Sequence, residues 1–157
     1  MAKVKAVPAG YHTITPYIVV QGGAAAIEFY KKAFGAEEIY RMDMPDGRLG
    51  HAELQIGDSR LMLSDEMPEM PDAVARTPKT LGGTTFGFNV YLEDVDSRFE
   101  RAVAAGAKVR RPLVNQFYGD RSGTVEDPFG QVWTISTHVE DVPPDELRRR
   151  MEEFAKT

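Results

Sequence analysis

A helical pattern ends with Gly-Ala in the stretch Ile27-Glu28-Phe29-Tyr30-Lys31-Lys32-Ala33-Phe34-Gly35-Ala36. About 71 residues further along, the same pattern recurs as Arg98-Phe99-Glu100-Arg101-Ala102-Val103-Ala104-Ala105-Gly106-Ala107. An alternating, strand-like run precedes each stretch, at residues 13–20 and 84–92, and three more such runs follow each one. The sequence therefore predicts a strand-helix-strand-strand-strand unit that is present twice.

The repeat divides the chain into five segments. They are an N-terminal arm (1–12), a first βαβββ module (13–64), a linker (65–83), a second βαβββ module (84–138) and a C-terminal helix (139–157). The linker contains Pro and Met without a useful period, so we interpret it as a plain connection, with a lid beside a cavity as the alternative. Leu147, Met151 and Phe154 are spaced to dock the last helix on an apolar surface, of this chain or of a partner subunit.

Composition excludes several classes of function. The 157-residue chain has a net charge of −5, which argues against general binding of nucleic acid. It contains no Cys, so disulfides, thiolate nucleophiles and Cys-bound metals are excluded, and a reducing compartment fits. We find no secretory signal and no apolar run near 18 residues. We therefore expect a cytoplasmic protein with neither a nucleic acid nor a membrane as partner.

Strand parity predicts a polar face that could form a site. His51, Glu53 and Gln55 alternate with apolar residues, so their side chains leave the strand on the side away from the helices. The same parity adds Thr13, Thr15, Tyr17, Met62 and Ser64 in the first module, and Thr85, Asn89, Tyr91, Thr124, Glu126, Thr134 and Ser136 in the second. This mixture suits recognition of a small polar or aromatic molecule. A water-filled groove without function is the alternative.

The string Gln116-Phe117-Tyr118-Gly119-Asp120-Arg121 is a second candidate for ligand binding. Phe117 and Tyr118 could stack on a planar molecule while Arg121 holds an anion. In the alternative, the two aromatic rings pack at a module edge and Asp120 pairs with Arg121. Trp133 has the outward parity, so we predict that it belongs to the core under a helix.

Several motifs in order carry a resemblance to a known family. They are Thr15-Pro16-Tyr17, the first helical stretch quoted above, His51-Ala52-Glu53-Leu54, Gln116 to Arg121, Glu126-Asp127-Pro128-Phe129-Gly130 and Trp133-Thr134-Ile135-Ser136-Thr137-His138. With these motifs the chain resembles the vicinal oxygen chelate superfamily (glyoxalase, bleomycin resistance proteins and dioxygenases), in its PhnB-like branch. The resemblance implies an α+β fold in which two tandem βαβββ modules form a curved, cup-like mixed sheet with helices on the outer face. It also implies a homodimer.

The resemblance places the usual metal ligands at Thr15, Met62, Gly87 and Thr134, with Tyr17 and Asn89 as neighbours if the alignment slips. None of these residues suits Zn, Ni, Fe or Mn, which take imidazole or carboxylate ligands. We therefore predict no metal at that position and no cofactor. A displaced metal site, formed by His51, Glu53 and Glu126, is an alternative.

Three functions follow from these patterns. The first is a metal-independent protein that binds a small polar or aromatic molecule in a dimeric cup, with ligand contacts distributed over both modules. The predicted ligand-binding residues are Tyr17, Gln55, Asn89, Tyr91, Phe117, Tyr118, Arg121 and Glu126. The second is an isomerase or lyase in which His51 and Glu53 are the catalytic acid–base pair. The third is an enzyme with the displaced metal site.

Overall fold

The computed structural model describes residues 4–70 and 75–156, so the predicted arm and linker lie partly outside the described residues, at 1–3 and 71–74. These residues fall into two units that separate between Gly83 and Thr84. Each unit contains a strand, a helix and three further strands in that order, which confirms the predicted α+β fold with two tandem βαβββ modules.

The elements of the first unit are β1 (Tyr17–Val20), α1 (Gly23–Phe34), β2 (Glu37–Asp43), β3 (Leu49–Ile56), β4 (Ser59–Asp65) and α2 (Pro78–Leu81). Those of the second are β5 (Gly87–Tyr91), α3 (Val95–Ala104), β6 (Lys108–Asn115), β7 (Asp120–Glu126), β8 (Val132–His138) and α4 (Pro144–Phe154). Within the described residues, each unit holds one four-stranded mixed sheet, in the orders β1-β4-β3-β2 and β5-β8-β7-β6. The first strand of each unit pairs in parallel with the last, and the other pairs are antiparallel.

Helix α1 covers one face of the first sheet. The stripe of Ile27, Tyr30 and Phe34, which recurs at helical spacing, is buried. The helix ends at Gly35, whose φ of 69° is a left-handed conformation that glycine adopts without steric penalty. The buried residues of β3 include Ala52 and Leu54. Since strand side chains alternate, the residues between them must face away from the helix.

The second unit has its core around Trp133, which is 1% exposed. The indole stacks on the Phe88 ring at a centroid distance of 4.1 Å. Its Nε1–H donates to Asp127 Oδ2 at 2.9 Å, so the polar edge of the ring is also satisfied. These contacts confirm the prediction that Trp133 belongs to the core.

Three details differ from the sequence-based expectation. Strand β1 begins at Tyr17, so Thr13 and Thr15 precede it, and Thr85 likewise precedes β5. The segment predicted as an aperiodic linker contains the short helix α2, which begins because Thr77 accepts a hydrogen bond from the Thr80 amide at 3.1 Å. These differences result from local capping and strand pairing, which the periodicity of apolar residues does not predict.

Helix α4 docks on its own unit through few contacts. Phe154 stacks on Phe117 with centroids 5.1 Å apart, and Arg150 pairs with Glu140 at 2.7 Å. Met151, which was expected to dock, is exposed. In the part of the chain that the structure describes, neither this helix nor another is long and apolar enough to cross a membrane.

Asp65 joins the end of β4 to two other elements. Its Oδ1 accepts from the Gly22 and Gly23 amides at 2.7 and 2.9 Å, and its Oδ2 accepts from the Leu49 amide at 2.8 Å. Replacing Asp65 with Ala leaves these three amides without their acceptor. We expect a loss of about 1–3 kcal/mol in the free energy of unfolding, measured by urea denaturation.

The control is Asp58→Ala, because Asp58 accepts from the neighbouring Ser59 hydroxyl at the surface. We expect this change to remain within about 0.5 kcal/mol of the parent protein. Equal effects of the two substitutions would contradict the role assigned to Asp65.

Candidate functional site

The face of the first sheet opposite α1 carries a chain of hydrogen-bonded side chains. Tyr17 Oη lies 3.2 Å from His51 Nδ1, and His51 Nε2 lies 3.4 Å from Glu53 Oε1. The other carboxylate oxygen, Oε2, accepts a hydrogen bond from the Tyr11 hydroxyl. The structure therefore brings the predicted pair of His51 and Glu53 together and places one phenol at each end.

The hydrogen bond from the Tyr11 hydroxyl favours the ionised form of Glu53. By donating to Glu53 it lowers the pKa of that carboxyl, and the hydrogen bond from His51 acts in the same direction. The pKa of the Tyr11 phenol is raised for the same reason, since its proton is held by the carboxylate. Both shifts favour an ionised Glu53 beside a neutral Tyr11.

The charge on Glu53 determines which nitrogen of His51 carries the proton. An ionised carboxylate only accepts hydrogen bonds, so His51 Nε2 must be the donor to it. In the neutral imidazole Nδ1 is then the acceptor, and the Tyr17 hydroxyl donates a hydrogen bond to it. This order of donors connects Tyr17 to Glu53 through His51, an arrangement that can move a proton between the solvent-facing phenol and the carboxylate.

A cavity of about 550 Å³ lies beside Glu53, between the N-terminal arm and the sheet. The sheet contributes Glu53 and Met62 to its lining. The arm and the segment before β1 contribute Val7, Pro8, Tyr11, Thr13 and Thr15, together with neighbouring residues. Glu53 carries the one Asp or Glu carboxylate in this lining, and most of the rest is apolar, aromatic or hydroxylic. Tyr11 was not predicted, because the arm has no periodicity that indicates contact with the sheet.

The second unit holds a different polar cluster around Asp120, which is 5% exposed. Asp120 Oδ2 accepts from the Tyr91 hydroxyl at 2.7 Å, and Oδ1 lies 2.8 Å from His138 Nδ1. The other nitrogen of His138 lies 2.9 Å from Asp141 Oδ1. The two carboxylates raise the pKa of His138, Asp120 most strongly, and Asp120 also raises the pKa of Tyr91. The sequence patterns did not predict that His138 contacts two carboxylates.

The contacts of Arg121 bear on both interpretations of the Gln116–Arg121 string. Its guanidinium donates to the two carboxylate oxygens of Asp96 at 2.6 and 2.8 Å, so an anionic ligand would have to displace Asp96. The alternative pairing of Asp120 with Arg121 is wrong, because neighbouring strand residues face opposite sides and Asp120 binds Tyr91 and His138.

The remaining predicted ligand-binding residues also have partners within their own units. Gln55 Nε2 donates to the Gly57 carbonyl at 2.8 Å, Asn89 Oδ1 accepts from Ser136 at 3.2 Å, and Glu126 accepts from Arg110 Nε at 2.9 Å. One side of the Phe117 ring is covered by Phe154, and the Tyr118 hydroxyl lies 3.4 Å from Ser122 Oγ. Contact of these residues with a ligand stays a prediction.

Strand register tests whether the residues present fit the metal that the fold implies. Met62 pairs with Tyr17, and Thr134 pairs with Asn89. Tyr17 and Asn89 therefore take the places of Thr15 and Gly87 among the four positions of the usual metal ligands. None of them supplies imidazole or carboxylate. Among the described residues there is no group of three or more His, Asp and Glu side chains that could hold a metal ion. Both ring nitrogens of His51 are already engaged, so this donor set does not fit the usual metal.

Comparison with known proteins identifies relatives along most of the chain. A family model described as the Glyoxalase/Bleomycin resistance protein/Dioxygenase superfamily matches residues 10–135. An uncharacterised protein of Mycobacterium bovis is 44% identical over 138 residues, which cover 88% of this chain and 91% of that protein. The crystal structure of TioX from Micromonospora sp. ML1 is similar with a TM-score of 0.63 and 26% identity, covering 82% of this chain and 99% of that one. A PhnB protein from Bacillus cereus shares the fold, with a TM-score of 0.58, 19% identity and coverage of 80% and 99%.

The hydrogen bond from Tyr11 predicts the titration of Glu53. In Tyr11→Phe the pKa of Glu53 should rise toward its usual value near 4.5, because the main group that stabilises the carboxylate is lost. A lowered pKa in the folded protein contributes stability above the unfolded pKa, and this contribution is lost as pH falls through the folded pKa. The stability difference between the two proteins should therefore shrink on acidification. Carbon-detected NMR titration measures the pKa, with Tyr40→Phe as the control. An unchanged Glu53 titration in Tyr11→Phe would contradict the assignment.

The position of His138 between two carboxylates predicts the opposite pH dependence. Its pKa should lie above the usual 6.5, and Asp120→Asn should lower it more than Asp141→Asn. A raised pKa in the folded protein gives stability that is fully present below the unfolded pKa and is lost as pH rises through the folded pKa. His138→Gln should therefore be more destabilising at pH 5.5 than at pH 9. Proton NMR titration measures the pKa of His138, and urea denaturation measures the free energy of unfolding at each pH. A His138 pKa at or below 6.5 would contradict its placement between the two carboxylates.

Proposed function

This chain belongs to the Glyoxalase/Bleomycin resistance protein/Dioxygenase superfamily, and we propose that it binds a small polar or aromatic molecule without the usual metal. The proposal rests on the cavity beside Glu53. Its volume of about 550 Å³ is in the range of small-molecule sites, which are commonly 300–1,000 Å³. An apolar lining with few convergent polar groups is also typical of such sites.

The chemistry of the lining indicates what the ligand offers. The side chains of Val7, Pro8 and Met62 provide an apolar surface for a planar group. Glu53 is an acceptor with a lowered pKa, so it favours an N–H or O–H donor on the ligand. The hydroxyls of Thr13 and Thr15 can act as donors or acceptors. Together these groups favour a planar molecule with a polar substituent.

The proposal extends to a cytoplasmic homodimer. Members of this superfamily are commonly dimeric, and strand β2 at the edge of the first sheet exposes Ile39, Tyr40 and Met42. An exposed edge strand with apolar side chains is a surface that proteins usually cover. Sedimentation analysis of the parent protein and of Tyr40→Arg tests this part of the proposal.

Binding predicts a dependence on Glu53. In a thermal-shift screen of planar antibiotics and aromatic metabolites that carry hydroxyl or amino groups, at least one compound should raise the melting temperature. By calorimetry, Glu53→Gln should bind that compound about tenfold more weakly, since a charged acceptor is lost. Glu37→Gln, an exposed change on β2, is the matched control and should leave affinity unchanged. If no compound in the screen raises the melting temperature, the binding function fails.

A second candidate function is a metal-independent isomerase or lyase, for which the contact between His51 and Glu53 is the specific support. An imidazole that contacts both a phenol and a carboxylate is placed to transfer a proton between them. Compounds from the screen that carry an acidic C–H bond should then incorporate deuterium from D₂O in the presence of the protein, as followed by NMR. His51→Ala should abolish the exchange. Exchange at an unchanged rate in that variant would remove His51 from the mechanism.

A further inference from the structure

Arg60 lies next to the proposed binding cavity and, among the described residues, forms no hydrogen bond or ion pair with a carboxylate, although its charge helps to lower the pKa of Glu53. It is two residues before Met62 on β4 and pairs in register with Gln55, so it shares the face that carries Glu53. Its guanidinium lies 5.5 Å from the centroid of the Tyr11 ring. Its Nε and Nη1 atoms are buried, and among the described residues they have no hydrogen-bond acceptor.

The other arginines of this unit show that this state is unusual. Arg41 pairs with Asp43 at 2.8 Å, Arg48 with Asp46 at 2.7 Å, and Arg76 with Glu66 at 3.6 Å. An unpaired, buried donor is unfavourable because it has lost water without gaining a protein partner, and the penalty is larger for a charged group. The guanidinium of Arg60 is therefore a hydrogen-bond donor without an acceptor, in a unit whose other described arginines are paired.

The N-terminal arm seals this guanidinium. A turn brings the Tyr11 amide to the Pro8 carbonyl at 3.2 Å and places Gly10 against Arg60. A Cβ at Gly10 would lie 2.9 Å from Arg60 Nη2, and the φ of 82° at this position also favours glycine. Tyr11 is thus a shared wall, with the cavity beside it and the guanidinium of Arg60 against its ring.

We propose that Arg60 binds the carboxylate of a planar organic acid and that Tyr11 is the gate to it. This inference rests on the proposed binding function and specifies the ligand class for the same site. A guanidinium holds a carboxylate through two parallel hydrogen bonds. When Tyr11 swings away, it also releases Glu53 to accept from a hydroxyl or amino group of the same ligand. A monoanionic carboxylate fits better than a phosphate dianion, because the ionised Glu53 lies on the same face and repels a second negative charge.

The experiment uses benzoate as the probe, with benzamide as its neutral isostere and inorganic phosphate as the alternative anion. Calorimetry measures affinity, and the Nε–Hε resonance of Arg60 reports contact directly by NMR. We expect benzoate to bind and shift this resonance, while benzamide and phosphate bind at least tenfold more weakly. Arg60→Gln should weaken benzoate binding about tenfold or more, and Arg41→Gln, the matched control, should not change it.

A gate predicts a second, opposite effect. Tyr11→Ala removes the closed state, so it should strengthen benzoate binding several-fold, and the double variant with Arg60→Gln should lose this gain. If Arg60→Gln is poorly folded, Arg60→Lys replaces it. Titration of the parent protein with benzoate, followed by the Nε–Hε resonance of Arg60, then also shows whether Arg60 contacts the probe. Equal affinity for benzoate and benzamide, or unchanged affinity in Arg60→Gln, overturns the inference while the proposed function stands. Preference for phosphate also overturns it. If neither these probes nor the wider screen bind, both proposals fail.

Discussion

Burial of one face of a strand under a helix is the constraint on which the first unit depends. Ala52 and Leu54 must be covered, so α1 lies over them and the residues between them are turned to the opposite face. The side chains of His51 and Glu53, which are two residues apart on β3, are then neighbours on that face, and no other contact is needed to bring them together. The chain of Tyr17, His51 and Glu53 is thus a consequence of core packing, to which Tyr11 is added by the arm.

The two units apply the same backbone to different chemistry. In register, Glu53 opposite Met62 in the first unit corresponds to Thr124 opposite Thr134 in the second. The first unit therefore has an ionisable residue where the second has a hydroxyl pair, whose oxygens lie 3.1 Å apart. One buried carboxylate of the second unit, Asp120, lies at the start of β7 and binds Tyr91 and His138. The cavity beside Glu53 is the reason for assigning ligand binding to the first unit.

Much of the fold was predictable because it follows from local rules. The repeat, the alternation on β3, the buried stripe of α1 and the role of Trp133 all follow from periodicities of 2 and 3.6 residues. Less of the site was predictable. Tyr11 lies in an aperiodic arm whose contact with Glu53 is a long-range event. Arg60 could have been found, since it shares the parity of Met62, but a single charged residue near a strand end usually indicates solvent exposure.

The order of hydrogen-bond donors through the side chains from Tyr11 to Tyr17 determines the tautomer of His51. Long-range proton–nitrogen NMR at neutral pH distinguishes the two tautomers directly. We predict a proton on Nε2, toward Glu53, and an unprotonated Nδ1 that accepts from Tyr17. A neutral His51 with its proton on Nδ1 would contradict the account, because Glu53 would then have no donor on the histidine and the chain would be broken there.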